Sequence, residues 1–129
     1  MRDELVAALS QDNRVHAYSK WRGAFWRLIS LADLGVDAGH PGAVAAAEET
    51  LAWVADPVRL AEVHRLCIDG RVRRHASQEG RGLQACLDLG LRGDSRLETL
   101  AQSLVETQWP DGGWNCDRHR ECTHSSFQE

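Results

Sequence analysis

A chain of 129 residues holds at most one domain, and a hydrophobic share of 43% is enough for a packed core, which excludes a disordered polymer. The formal net charge of −4 leaves no overall basic footprint and argues against nucleic acid as a partner. The opening Met1-Arg2-Asp3-Glu4-Leu5 lacks the apolar run of an export signal and no later stretch approaches a membrane span, so a cytoplasmic protein is expected.

The first periodic segment covers residues 17–34. Ala17, Trp21, Ala24, Phe25, Leu28 and Ala32 follow helical spacing along it, and it closes on Asp33-Leu34-Gly35. Tyr18, Trp21, Phe25 and Trp26 have two readings on this helix: cavity-lining rings able to face a cation, or ordinary core. Trp21 and Phe25, four apart, share a face and favour core, whereas Trp26 lies to one side. A second helix is expected over 41–55 through Val44, Ala47 and Leu51, and a short third one over 57–66, begun by Pro57. Residues 67–76 read either as a small hairpin turning at Asp69-Gly70 or as an irregular connection. Arg71, Arg73 and Arg74, with no interleaved aromatics, read as a solvated loop.

The pattern then repeats. Residues 77–89 carry Leu83, Cys86, Leu87 and Leu89 on one face and close on Asp88-Leu89-Gly90, a second copy of Asp33-Leu34-Gly35. Residues 94–108 follow with Leu97, Leu100 and Leu104, and Ser95-x-x-Glu98 is a capping box for that helix. Such repetition predicts stacked helix pairs, each unable to bury its apolar face alone.

Leu104, Gln108, Gly112 and Trp114 form the ordered set Leu-x3-Gln-x3-Gly-x-Trp at the end of this last helix. Pro110 cannot continue a helix, Gly112 and Gly113 permit its reversal, and Trp114 has one N–H to satisfy. The set resembles the QW motif of squalene cyclases and their prenyltransferase-like relatives. Segments 16–23, 76–80 and 109–117 are also similar to small bacterial members of that family. The resemblance implies an all-α fold, part of an α/α toroid, with inner helices at about 17–34 and 77–89 and outer helices at about 41–55 and 94–108. It implies a polyprenyl or other apolar ligand in a central cavity, and cyclisation or prenyl transfer as the reaction class. Tyr18, Trp26, Gln78, Glu79, Asp117 and His124 are then the residues expected at the cavity or its rim, and the QW residues are a structural brace. The family's usual aromatic is replaced by Ser103, and Ala55 stands where the first repeat would carry its Gln. Neither an Asp-x-Asp-Asp acid nor an Asp-rich magnesium motif occurs, so no catalytic residue is identified. A non-catalytic scaffold that binds a protein or peptide is the alternative.

Cys116, His119, Cys122 and His124 bring zinc-ligand chemistry into a short stretch, at a spacing that matches no common finger. The four cysteines, Cys67 and Cys86 included, otherwise read as reduced thiols. His16, His75 and His124 each stand just ahead of an expected inner helix and would share one rim of a ring. Protein prenyltransferases carry an Asp-x-Cys zinc pair before an inner helix. Matching their Ser-Phe to Ser126-Phe127 puts Cys122 and His124 at that pair, and an open zinc site of Cys122, His124 and His75 is the resulting expectation. A small zinc-binding module over 116–124 is the third functional reading. Ser126-Phe127-Gln128-Glu129 reads as another capping box, which leads to the expectation of a fragment of a longer protein whose open repeat end self-associates.

Overall fold

The computed structural model describes residues 1–12 and 15–127. Among them the chain is mostly helical: α1 (Arg2–Leu9), α2 (Ala24–Asp33), α3 (Pro41–Val54), α4 (Pro57–Arg65), α5 (Ala76–Asp88) and α6 (Ser95–Glu106). One small antiparallel hairpin, β1 (Cys67–Ile68) and β2 (Arg71–Val72), separates α4 from α5. Helix α2 packs on α3 and α5, and α5 packs on α6, so two helix pairs lie side by side. Their shared core includes Leu28, Leu31, Leu51, Val54, Cys86 and Leu100. No helix among the described residues is long and apolar enough to cross a membrane.

The repeated Asp-Leu-Gly has one physical basis in both copies. Gly35 and Gly90 adopt the left-handed backbone, with φ of 61° and 84°. Val36 N–H then reaches back to Leu31 O, and Leu91 N–H to Cys86 O, while Gly35 and Gly90 bond Ala32 O and Leu87 O. This pair of bonds consumes carbonyls that the helix end would otherwise leave bare.

Several local expectations are corrected. The helix expected from residue 17 begins at Ala24, because Gly23 is extended and the preceding segment folds back, Ala17 O accepting from Phe25 N–H at 3.0 Å. A Cβ at Gly23 would overlap the Ala17 carbonyl, so this reversal requires glycine. Trp21 therefore lies off the helix, at φ 65°, and is 70% exposed instead of core. Val44 faces outward, and Ala43, Ala46 and Ala47 supply the small buried surface of α3. The cap of α6 is Asp94, which accepts from Arg96 N–H at 2.9 Å, in place of the Ser95 box. The hairpin does turn at Asp69-Gly70, both with positive φ as a tight two-residue turn needs. Gln128 and Glu129, half of the last expected capping box, lie outside the described residues.

The largest correction concerns the arginines after the hairpin. Arg73 and Arg74 are 3% and 2% exposed, so the segment is an interior strut and no solvated loop. Buried guanidinium groups are tolerated only when paired and hydrogen-bonded. Arg74 meets most of this condition through Glu79, Ser103 O and Ser103 Oγ of α6 and Thr107 Oγ1 just beyond that helix, the last three at 2.7–2.9 Å, while its Nη2 is buried without a hydrogen-bond partner.

Candidate functional site

The segment ahead of α2 and the N-terminal halves of α2 and α5 enclose a groove of about 380 Å³. Phe25, Trp26 and Ile29 form its α2 wall, Ser77, Gln78 and Arg81 its α5 wall, and Tyr18 closes one end. The two walls differ in chemistry because α5 presents polar side chains at helical spacing while α2 presents apolar ones. Tyr18 is central to the ring cluster. It stacks on Trp53 with centroids 5.4 Å apart and planes 16° apart, and lies 5.1 Å from Phe25 and 5.9 Å from Trp26. Trp21 covers the outer side, its ring 4.6 Å from that of Trp26. His16 meets Trp53 edge-on at 5.8 Å.

Beneath this cluster a charged network fixes its floor. Arg59 stands 4.6 Å over the Trp53 ring and donates to Glu79 Oε1 at 2.6 Å, while Arg74 holds Oε2 of the same carboxylate. Glu79, expected at the cavity or rim, is 1% exposed and turned into this network. Adjacent Gln78 takes the groove-facing position instead.

The QW residues close a turn on themselves. Trp114 Nε1 donates to Leu104 O at 2.9 Å and Gln108 Nε2 to Gly112 O at 2.6 Å, with Gly112 at φ 92°. Trp109, buried beside them, donates to Val72 O at 2.9 Å and carries Arg73 and Arg71 over its ring at 4.7 and 5.7 Å. The turn thereby ties α6 to the hairpin.

The metal expectation is not met by the geometry. Among the described residues no three His, Cys, Asp or Glu side chains are grouped to hold a metal ion. His75 sits at the start of α5, and His124 is largely exposed with Nδ1 3.8 Å from Asp111. Cys122 is engaged with Asp117, whose hydrogen bond pushes the thiol pKa up, which disfavours the thiolate a metal needs. Asp117 is held below the usual carboxylate range by His119 N–H first and by the Cys122 thiol second. Asp117 and His124 thus belong to the loop after α6 and do not line the groove. Of the three histidines expected on one rim, His16 lies against Trp53 and His124 beside Asp111.

Of the expected site residues, Tyr18, Trp26 and Gln78 come together. Arg81 and Trp53 complete the same surroundings and were not foreseen. Arg81 follows Gln78 by three positions on one helix, a spacing that places the two side by side. Trp53 comes from α3, and no pattern within α3 indicates that it reaches Tyr18. The chain matches no family model, no curated protein and no solved structure.

Proposed function

We propose that this protein binds a polyprenyl or similarly apolar ligand in the groove between α2 and α5, as a squalene cyclase- or prenyltransferase-like helical-repeat protein. The observation that carries the reading is the convergence of Tyr18, Phe25 and Trp26 on one open groove, with Gln78 opposite. Its volume of about 380 Å³ lies within the range of small-molecule sites. Apolar walls with a few placed polar groups suit a hydrocarbon ligand whose position is fixed at one edge. In this reading the paired helices α2–α3 and α5–α6 are successive units of an α/α toroid, α2 and α5 being inner. Cyclisation or prenyl transfer would be the reaction class.

Titration with farnesol, followed by tryptophan fluorescence, tests the reading. Saturable binding that weakens about tenfold in Trp26→Leu is expected, since one lost aromatic contact is worth about 1.4 kcal/mol. Binding unchanged in Trp26→Leu would refute it.

Trp21 favours a second reading, a scaffold that takes a peptide. A large aromatic left 70% exposed beside an apolar groove is typical of an interface anchor. Selection of binding peptides that compete with farnesol and lose affinity in Trp21→Ala would support it.

A further inference from the structure

Arg81 gives the groove a charge that a plain hydrocarbon does not use. Among the described residues lining it, Arg81 is the one charged group, and it stands at the end of the polar wall that also bears Gln78. Its guanidinium is hydrogen-bonded to one carboxylate oxygen of Asp33, at the C-terminal end of α2. Both side chains of that pair reach solvent, so the contact is screened and contributes little to stability. A guanidinium is a planar fork that binds a carboxylate through two parallel N–H···O bonds. Asp33 engages it through one oxygen at one nitrogen, Nη2, which leaves the two-pronged mode to a better-placed partner.

Resting on the groove as the binding site, we propose that its ligand is a carboxylate amphiphile. The apolar body lies along Tyr18, Phe25 and Trp26, and the carboxylate takes Arg81 from Asp33. Charge complementarity selects the head group. An ammonium head would meet a like charge, and an alcohol would leave the guanidinium with its internal partner. Asp33 itself shows which chemistry Arg81 accepts at this place. The exchange requires no covalent step: one ion pair opens as another forms, and Asp33 is released to water, where its side chain is already mostly exposed.

The test is isothermal titration of the full chain with decanoate, decanol, decyl phosphate and decyltrimethylammonium, each below its aggregation concentration. Decanoate is expected to bind about tenfold more tightly than decanol, the scale of one charge-assisted pair. Arg81→Gln should erase that preference. Asp33→Asn should raise decanoate affinity, because the internal competitor is gone. Circular dichroism of both variants checks the fold, which two exposed side chains do not hold together. Equal binding of decanol and decanoate, a preference that survives Arg81→Gln, or a stronger response to the phosphate or the ammonium would overturn the carboxylate while the groove stands. If all four probes bind Trp26→Leu as well as they bind the natural chain, the groove reading itself fails, and this inference with it.

Discussion

The guanidinium of Arg74 is hydrogen-bonded to the carboxylate of Glu79 inside the protein, with neither side chain reaching solvent. Arg59 from α4 holds the second oxygen of Glu79, and Ser103 of α6 and Thr107 at its C-terminal end accept from Arg74. Three helices are thereby joined by charge and hydrogen bonds where a hydrophobic contact would otherwise stand. Through Arg59 and Trp53 the same network is joined to Tyr18, which closes one end of the groove.

Removing one partner from such a network strands the rest. Glu79→Ala leaves Arg74 buried without its anion and is expected to cost about 3–5 kcal/mol. Arg74→Met should cost less, because Glu79 keeps Arg59, which retains some access to water. Urea denaturation of both variants measures the order, and an equal loss would show that the two arginines are not interchangeable supports.

The turn after α6 predicts a graded series. Trp114→Phe keeps most of the ring and loses the N–H to Leu104 O, for about 1 kcal/mol. Trp114→Ala also removes packing against the core, and about 3 kcal/mol is expected. Gln108 is exposed, so Gln108→Ala should cost under about 1 kcal/mol despite its bond to Gly112 O. Thermal unfolding of the three variants would expose the reverse order at once.

The openings of α3 and α4 and the ends of α2 and α5 were legible because they rest on local signals, Pro41 and Pro57 at the former and Gly35 and Gly90 at the latter, whereas α1 was not foreseen and α2 begins later than its pattern suggests. Tyr18 and Trp26 were legible as a pair only through their closeness in sequence; the turn at Trp21 and Gly23 folds them together without a helix. The burial of Arg73 and Arg74 could not be read locally. Arg74 depends on Glu79, Ser103 and Thr107, and Arg73 on Cys122 O and the Trp109 ring, partners that distant parts of the chain mostly supply. The same reason hides Trp53, whose ring is claimed by Tyr18 and Arg59 from two other segments. His75 and His124 show the converse. Their places ahead of expected inner helices invited a shared metal, yet among the described residues no third ligand joins them.

Trp21 combines a left-handed backbone with an exposed ring tilted against that of Trp26. That conformation costs a residue bearing a Cβ roughly 1–2 kcal/mol and glycine almost nothing. Trp21→Gly and Trp21→Ala both delete the ring, so their difference isolates the backbone. The glycine variant should be more stable by about 1 kcal/mol. In both, emission from Trp26 should shift to longer wavelength as water reaches it. If alanine proves the more stable, residue 21 does not hold this backbone in solution.

Asp94 and Glu48 share Arg96, with hydrogen bonds of 2.6 Å and 2.7 Å, and its guanidinium holds both carboxyl groups below their usual range. A carboxylate depressed in the folded state contributes stability above its unfolded pKa, and that contribution is lost as pH falls through the folded value. Arg96→Met should therefore be less stable than the natural chain at neutral pH. The gap should narrow below about pH 4, where the unfolded carboxyl groups also take up protons. Denaturant midpoints across that range check the trend. High salt should shrink the gap too, since Glu48 is exposed.

Cys86 sits in the core of α5, and burial pushes its thiol pKa up to about 11. The thiolate is the reactive form, so iodoacetamide at pH 8 should modify exposed Cys67 well before Cys86. The same shift has a consequence for stability. A folded pKa above the unfolded one favours the folded state at low pH, and this contribution is lost as pH rises through the folded value. The natural chain should thus lose stability between about pH 9 and 11 as this contribution disappears. Cys86→Ala supplies the comparison. It removes one sulfur from a packed site and lowers stability throughout, but its alkaline decline should be shallower. Parallel alkaline slopes for the two chains would mean that the Cys86 thiol titrates alike in the folded and unfolded states.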